Sequence, residues 1–288
     1  MSAEHRIGLL TGASSGIGAA AAAALARTGM QLGLVCRTPE KARETVDRVR
    51  AETGNDALEP FAADFTELRQ VRALASDVAQ RLPGLDVLVN NAGCYRHSRS
   101  TTPDGHETVF GVNHLAPFLL TRLLLPLLRG NPPARIVNVA SDAHFRGTIE
   151  FEDLDWSDRN YAWFKVYAQS KLGNVLTTRE LARRLRSTDE AGIRVFAMHP
   201  GVVNTNLFRN RHPIDFFARI ARRFFLDPDT SAAAIVRLAV DPAFDDLTGG
   251  YFDLDRPKRP SREARDDGVA ERLWTVSERR VDLGADLF

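Results

Sequence analysis

Cysteine and net charge are both scarce in this sequence, and their scarcity excludes several classes of protein. The 288 residues contain only two cysteines, Cys36 and Cys94, too few and too far apart for a disulfide framework, so we expect a reducing compartment. The net charge of +1 gives no overall attraction to nucleic acid or to an anionic membrane. The chain shows neither an apolar signal segment nor a run of about 18 apolar residues that would cross a bilayer. We therefore expect a cytoplasmic protein with no integral membrane segment, no nucleic-acid partner and no metal site.

Lysine is also rare, and one of the few lysines follows a tyrosine by one helical turn. The chain has 38 basic residues, of which only four are lysines, Lys41, Lys165, Lys171 and Lys258. In the segment VYAQSKLGN, Tyr167 and Lys171 are four residues apart on a predicted helix over 160–186, so they share a face. A tyrosine pKa of about 10 is too high for acid–base catalysis at neutral pH, and a nearby ammonium lowers it. Chance also places such pairs on amphipathic helices, so the pair needs support from other residues.

The order of apolar and amphipathic segments predicts an α/β fold. Short apolar runs typical of buried parallel strands alternate with longer helical stretches along most of the chain. We predict seven strands, at 7–12, 31–37, 58–64, 85–93, 134–141, 193–201 and 249–254. The pattern indicates one Rossmann-type doubly wound domain over residues 1–288, with a mostly parallel seven-stranded sheet flanked by helices. Ligands of such sheets bind at the carboxyl ends of the strands.

A glycine-rich turn, TGASSGIG, lies between the first predicted strand and the first predicted helix. Gly12 permits a tight turn, Gly16 lets a pyrophosphate approach the backbone, and Gly18 lets helix and strand pack closely. The free amides at the start of the following helix favour a phosphate. A glycine-rich loop without a ligand is the alternative, but the strand–turn–helix context favours a dinucleotide. The predicted contacts from this turn are Gly12, Ser14, Ser15, Gly16, Ile17 and Gly18.

The end of the second predicted strand, VCRTPEK, indicates which dinucleotide binds. Cys36 stands where an acid would bond the ribose of NAD and repel a 2′-phosphate, and Arg37 and Lys41 follow it. A guanidinium suits a phosphate by its charge and its forked geometry, so we predict NADP(H). An ordinary solvated charge at a strand end is the alternative for Arg37. Asp64, which ends the third predicted strand, and Phe65 are predicted at the adenine, although a loop cap at Asp64 would give the same sequence.

Two further polar residues support the Tyr167–Lys171 pair. Ser141 ends the fifth predicted strand, where its hydroxyl would bond a substrate carbonyl. Asn113 lies in FGVNHLAPFLL, inside a predicted helix, where an amide is a poor helix former. A buried asparagine needs a polar partner, and one explanation is that it holds a water that relays protons to Lys171.

Together these motifs resemble the short-chain dehydrogenase/reductase family. The resemblance extends over essentially the whole chain and is carried by the glycine turn, NNAG at 90–93, Asn113, Ser141, the Tyr167–Lys171 pair and HPG at 199–201. Longer segments such as DGHETVFGVNHLAPFLLT and YAQSKLGNVLTTRELARRL are similar to the retinol-dehydrogenase-like branch. That branch implies an NADP(H)-dependent interconversion of apolar alcohols with aldehydes or ketones.

The resemblance implies a role for each residue at a matching position. Tyr167 would be the general acid–base, and Ser141 would orient the substrate carbonyl. Lys171 would lower the tyrosine pKa and bind the ribose, and Asn113 would complete a proton relay. Further cofactor contacts are implied at Asn90, Ala92, Gly93, Pro200, Gly201, Val203 and Thr205. One departure is Gly173, where the branch more often has alanine; a mid-helix glycine costs up to about 1 kcal/mol and indicates close packing.

The substrate side of the site is predicted from neighbours of the catalytic residues. Cys94, Tyr95, His144 and Trp163 are expected to line it together with Ser141 and Tyr167. Residues 204–228 are predicted to form a substrate lid, and 255–288 a C-terminal extension. Phenylalanines and arginines within 207–225 fall largely on opposite helical faces. We favour a lid there over a membrane-touching helix or an ordinary core helix, because the segment follows the predicted nicotinamide-binding turn.

Three functions are compatible with the sequence. The first is an NADP(H)-dependent oxidoreductase for small apolar carbonyl compounds or alcohols. The second is a tailoring ketoreductase of a polycyclic or polyketide-like metabolite. The third, from another class, is a regulator that senses NADP(H) without turnover, and the intact set of four catalytic residues argues against it. The sequence is compatible with a homodimer or a monomer.

Overall fold

The apolar runs of the sequence form one central β-sheet in a computed structural model, which describes residues 6–188, 192–201 and 227–283. The strands are β1 Ile7–Thr11, β2 Gln31–Cys36, β3 Leu58–Ala62, β4 Val87–Asn90, β5 Ala134–Val139, β6 Ile193–His199, β7 Gly250–Asp253 and β8 Arg256–Pro257. They lie in the order β3-β2-β1-β4-β5-β6-β7-β8. Strands β1 to β7 pair in parallel, and the chain winds in opposite directions on the two sides of β1.

The mostly parallel, Rossmann-type sheet is confirmed, but the described residues contain eight strands rather than the seven predicted. The additional strand is β8, which is two residues long and antiparallel to β7. Leu254 between them has a left-handed φ of 57°, which allows the tight turn back onto β7. A strand this short leaves no periodic pattern in the sequence.

Helices cover both faces of the sheet. In the described residues they are α1 Gly16–Ala26, α2 Pro39–Thr53, α3 Leu68–Arg81, α4 Thr108–Arg129, α5 Trp163–Ser187, α6 Pro228–Val240 and α7 Asp267–Arg280. Buried residues of α1, α2 and α6 form one apolar cluster, and those of α3, α4, α5 and α7 belong to another. Along β1, Leu9 joins the second cluster and Leu10 the first. Both faces of the strand are therefore covered, which explains its continuous apolar run.

Helix α4 is more apolar than the sequence analysis predicted. By length and composition it could cross a membrane, with a mean hydropathy of 1.3 in its most apolar window, so the expectation that the chain has no such run is wrong. Of that window 94% is buried inside the protein, which makes α4 a core helix of the described structure. Residues Gly111–Leu115 form a π-helical turn within it. Pro117, which has no N–H to donate, lies two residues after this turn.

The C-terminal residues belong to the same core. Helix α7 packs against α5, and its Leu273 and Trp274 are 0% and 1% exposed. The described part of the predicted extension over 255–288 thus completes the face of the sheet that α4 and α5 cover. The predicted lid at 204–228 lies outside the described residues as far as residue 226.

Candidate active site

A cavity of about 550 Å³ opens at the carboxyl ends of the parallel strands. A doubly wound sheet places its ligand at this edge, because the direction of winding changes there. Most of the sequence-predicted cofactor residues line the cavity, namely Gly12, Ser14, Ser15, Gly16, Ile17, Gly18, Arg37, Lys41, Asp64, Phe65, Ala92, Gly93, Tyr167, Lys171 and Pro200. Cys94, which was predicted on the substrate side, lines it as well.

The glycine-rich turn shapes one wall of the cavity. Gly12 and Gly16 have left-handed φ angles of 71° and 55°, which other residues rarely adopt. A Cβ atom on Gly18 would lie 2.0 Å from the carbonyl oxygen of Gly12, so only glycine lets α1 approach the end of β1 this closely. Because α1 begins at Gly16, its first backbone amides lie at the cavity wall, where they would bind a phosphate.

Asn90, which was predicted to contact the cofactor, is not among the described residues that line the cavity, whereas the next residue, Asn91, is. The Asn90 amide donates hydrogen bonds to Thr121 Oγ1 at 2.9 Å and to Asn138 Oδ1 at 2.8 Å, away from the cavity. Asn91 lines the cavity, and its Nδ2 donates to the carbonyl oxygen of Thr11 at 2.9 Å. Asn91 directly follows the last residue of β4, and consecutive residues of extended chain face opposite sides. The sequence does not show which of two adjacent asparagines faces the ligand.

The end of β2 carries a cation where a carboxylate would favour NAD. Cys36 is 3% exposed, and burial raises the pKa of its thiol, so it is uncharged at neutral pH. Arg37 is exposed at the cavity edge. Lys41 lines the same edge, with its ammonium 2.9 Å from Glu44 Oε2. This edge therefore suits a phosphate better than a ribose hydroxyl alone.

Charged residues at the cavity are mostly cations. Among the described residues that line it are Arg37, Lys41, Arg96 and Lys171, against the single carboxylate of Asp64. Asp64 caps its own loop, since its Oδ1 accepts hydrogen bonds from Thr66 N at 2.9 Å and from Thr66 Oγ1 at 2.8 Å. Arg96 is not among the predicted residues, because it lies in the loop after β4 and belongs to no motif. Although the whole chain carries a net charge of +1, the cavity is cationic and suits an anionic ligand.

Tyr167 and Lys171 lie on one face of α5 at the cavity wall. Lys171 is 5% exposed, its Nζ donates a hydrogen bond to the carbonyl oxygen of Val139 at 2.8 Å, and it lies 5.6 Å from the centre of the Tyr167 ring. Burial lowers the pKa of Lys171 to about 8 and raises the pKa of Tyr167 to about 12. The net shift of the Tyr167 pKa is thus upward, and the lowering expected from Lys171 stays a prediction. For Tyr167, desolvation is the largest cause of the shift.

Ser141 is brought next to Tyr167 by the turn that follows β5. Its Oγ accepts a hydrogen bond from Ala143 N at 3.1 Å and so caps the 3₁₀ turn Asp142–Arg146. A hydrogen bond between the side chains of Ser141 and Tyr167 acts against burial and lowers the pKa of Tyr167.

Asn113 lies in the π-helical turn of α4 and is 1% exposed. Its Oδ1 accepts a hydrogen bond from Cys94 N at 2.7 Å, and its Nδ2 donates to Cys94 O at 2.9 Å and to Ser170 Oγ at 3.1 Å. A Cβ atom on Gly93 would lie 3.2 Å from Asn113 Oδ1 and 3.8 Å from Lys171 Nζ, so both side chains flank Gly93. Asn113 tethers the loop after β4 to α5, and a water relay from it to Lys171 stays a prediction.

The predicted substrate residues divide into an aromatic pair and a buried histidine. Tyr95 and Trp163 lie 5.9 Å apart between ring centres, and Trp163 is 37% exposed. His144 is 0% exposed; its Nδ1 donates to the carbonyl oxygen of Ser141 at 2.8 Å, and its Nε2 accepts from Ser261 N at 3.2 Å. The prediction that His144 lines the substrate site is therefore wrong, because the 3₁₀ turn directs its ring into the core.

The residues after β6 reach the cavity only in part within the described structure. Pro200 lines the cavity, and its carbonyl oxygen accepts a hydrogen bond from Ser231 of α6. Gly201 follows with a left-handed φ of 80°. Val203 and Thr205, which were predicted to continue this wall, lie outside the described residues, as does the segment 207–225.

Comparisons with known proteins agree with this geometry. The sequence profile of the short chain dehydrogenases matches residues 6–214. Human retinol dehydrogenase 13 is 41% identical over 283 residues, which cover 96% of this chain and 85% of the relative. The crystal structure of an uncharacterised protein from Mycobacterium paratuberculosis has a TM-score of 0.76 at 33% identity, covering 97% of this chain and 94% of that one. The NADP complex of Pseudomonas aeruginosa RhlG has a TM-score of 0.68 at 27% identity, covering 92% and 96%.

Proposed function

Because the chain belongs to the short-chain dehydrogenase family, we propose that it transfers a hydride between NADP(H) and an apolar aldehyde or ketone, or the corresponding alcohol. The family assignment makes the chain an oxidoreductase that acts on CH–OH or C=O groups with a nicotinamide cofactor. The proposed cofactor and substrate class rest on one observation. Tyr167, Ser141, Lys171 and Asn113 lie together beside a cationic cavity.

The cavity residues fit a dinucleotide that carries an extra phosphate. The recess at Gly18 has no room for a Cβ atom, α1 begins at the cavity wall, and cations outnumber carboxylates. Arg37 at the end of β2 would hold the 2′-phosphate, and the uncharged Cys36 beside it would not repel one. Lys171 would bond the ribose next to the nicotinamide. The structural neighbour solved with NADP supports the same choice.

The four catalytic residues supply the proton and hold the reacting oxygen. When bound, the nicotinamide gives a hydride to the carbonyl carbon or takes one from the alcohol carbon. In the reducing direction, Tyr167 donates its hydroxyl proton to the carbonyl oxygen, while Ser141 donates a hydrogen bond to the same oxygen. With a pKa of about 12, Tyr167 holds its proton at neutral pH, as this direction requires. Because Lys171 Nζ lies 5.6 Å from the centre of the Tyr167 ring, a proton returned from Lys171 to Tyr167 would pass through a hydroxyl or water between them.

Exposed aromatic side chains near the catalytic residues favour an apolar substrate. Trp163 and Phe164 at the start of α5 are 37% and 43% exposed, and Phe145, four residues after Ser141, is 41% exposed. A group of exposed apolar rings marks a surface that binds apolar partners or ligands. The name of the 41% identical relative, a retinol dehydrogenase, supports the same substrate class.

The proposal is tested by NADPH oxidation with a panel of apolar aldehydes, apolar ketones and polycyclic quinones, with Tyr167→Phe assayed beside the wild type. We expect turnover of apolar aldehydes or ketones that is lost in the variant. Turnover confined to polycyclic compounds would favour the tailoring ketoreductase. Tight NADPH binding without any turnover that depends on Tyr167 would contradict the proposed reaction and favour a sensor.

Arg37→Ala is expected to weaken NADPH binding by about tenfold to a hundredfold and NADH binding by less than about twofold, because only NADPH carries the phosphate that a charged hydrogen bond would hold. Isothermal titration of both cofactors measures the two effects. Arg43→Ala is the matched control, since Arg43 is exposed on α2 and is not among the residues that line the cavity. Equal losses for the two cofactors would reject the assignment of Arg37 to the 2′-phosphate.

A further inference from the structure

His114 is a buried polar residue next to Asn113 that the proposed reaction does not use. It is 1% exposed and lies in the same π-helical turn of α4. A hydrogen bond of 2.8 Å joins its Nε2 to Ser277 Oγ on α7, and its ring centre lies 4.8 Å from that of Phe110. The ring is therefore held from the side of α7 and from within its own helix.

On its third side the His114 ring fills a recess in α5. A Cβ atom on Gly173 would lie 2.7 Å from His114 Nδ1 and 3.1 Å from two carbons of the ring, distances at which something must move. Glycine inside a helix costs about 1 kcal/mol relative to alanine, so a long helix keeps one only where packing needs it. The need at Gly173 is room for the imidazole. The same helix carries Tyr167 and Lys171.

Helices α4 and α5 are thus joined at two successive residues of α4. Asn113 Nδ2 donates to Ser170 Oγ at 3.1 Å, and the ring of His114 rests on Gly173 one turn further along α5. Ser170 Oγ in turn donates to the carbonyl oxygen of Tyr167 at 2.7 Å. A π-helical turn inside an α-helix is often found at a functional site, because it moves side chains away from their regular positions. Here it carries both joining residues.

We propose that His114 is a positioning residue, whose ring sets the distance between α4 and α5 and thereby the place of Asn113 relative to Lys171 and Tyr167. Ser277 holds the orientation of the ring, so α7 contributes to the geometry of the active site without touching it. The inference rests on the proposed function, since it assumes that Asn113 takes part in the reaction.

The chemistry of the ring agrees with a spacer rather than an acid or base. Burial lowers the pKa of His114 to about 3, so the imidazole is uncharged over the whole neutral range. A neutral ring adds no charge between α4 and α5. The ring contributes its volume and the hydrogen bond to Ser277, and both can be changed by substitution.

A double-mutant cycle of Gly173→Ala and His114→Ala tests the proposal, with kcat measured per NADPH-binding site. In the wild-type background we expect Gly173→Ala to lower kcat about tenfold to a hundredfold, because the added methyl group displaces the ring and the turn that carries Asn113. In the His114→Ala background the methyl group has room, and we expect Gly173→Ala to change kcat by less than about twofold. The dissociation constant of NADPH should be unchanged throughout, which a general folding defect would not allow.

If Gly173→Ala does not fold, a second variant, Ser277→Ala, tests the proposal, with Gly130→Ala as its control. Ser277→Ala removes only the hydrogen bond to the ring and should lower kcat about twofold to tenfold, with NADPH binding intact. Gly130→Ala is the matched control at the end of α4, since its Cβ would meet nothing closer than 3.7 Å and its φ is −70°, and it should leave kcat unchanged.

Three results would overturn the inference, and they separate it from the proposed function. Equal effects of Gly173→Ala in the two backgrounds, or none in either, would show that His114 does not transmit the change, while the proposed reaction would stand. An unaltered kcat in Ser277→Ala would exclude α7 from the arrangement. Unaltered turnover in Asn113→Ala would refute the proposed relay and this inference together.

Discussion

Tyr167→Phe is expected to lower the turnover of carbonyl reduction by about a thousandfold or more while NADPH binds as tightly as to the wild type. The substitution removes only the hydroxyl, and phenylalanine keeps the ring that packs beside Lys171. The hydroxyl carries the proton that the reduced oxygen needs, and its hydrogen bond with Ser141 places it beside the other donor to that oxygen. Without it, the proton must come from a group that is not held at the reacting atom.

Tyr161→Phe is the matched control for this prediction. Tyr161 precedes α5 and donates from its hydroxyl to Glu107 Oε1 at 3.1 Å, and it is not among the residues that line the cavity. Removal of the Tyr161 hydroxyl should change turnover by less than about threefold. Single-turnover reduction under saturating NADPH, with NADPH binding followed by fluorescence, measures the two quantities separately. Turnover retained by Tyr167→Phe would remove Tyr167 from the acid–base role.

The fold was predictable because local signals agree with it along the chain. Parallel strands buried on both faces leave continuous apolar runs, and β1 shows why, since Leu9 and Leu10 belong to clusters on opposite faces. The glycine turn was equally clear, because the close approach at Gly18 tolerates no other residue. The eighth strand was missed, since two residues after a tight turn have no period that a sequence could show.

The site was predictable in its residue types and less so in the directions of its side chains. His144 and Asn90 lie in the segments that border the site, as the sequence predicted. The ring of His144, however, points into the core, and the amide of Asn90 faces α4. Those directions depend on a 3₁₀ turn and on the face of a strand end. Arg96 was missed because a loop residue approaches the cavity only through the tertiary fold. The sequence also suggested that Lys171 acts on Tyr167 as a charge, but the pKa values of both groups follow mainly from burial.

Because Lys171 is buried, we expect its replacement to abolish activity and at the same time to increase the stability of the fold. Lys171→Met is expected to lower turnover by several orders of magnitude and to raise the free energy of unfolding at pH 7 by about 1 kcal/mol. Burial lowers the pKa of Lys171 from 10.5 to about 8, so the folded chain binds this proton less tightly than the unfolded chain. Below pH 8 the group is charged in both states, and burying the charge costs about 3 kcal/mol. Methionine removes that cost but also the hydrogen bond to Val139, which is worth about 2 kcal/mol because its donor is charged.

The sign of the pH dependence makes this prediction specific. The neutral amine of Lys171 stabilises the folded chain fully above the ordinary lysine pKa of 10.5. This stabilisation is lost as the pH falls from 10.5 toward the folded pKa of about 8. The stability difference between Lys171→Met and the wild type should therefore be largest at pH 7 and shrink as the pH rises from 8 toward 10. Urea unfolding at several pH values measures it, with Lys165→Met as the control, because Lys165 is exposed on the same helix. A variant less stable than the wild type at pH 7, or a difference that does not change with pH, would mean that Lys171 is not held as a desolvated ammonium.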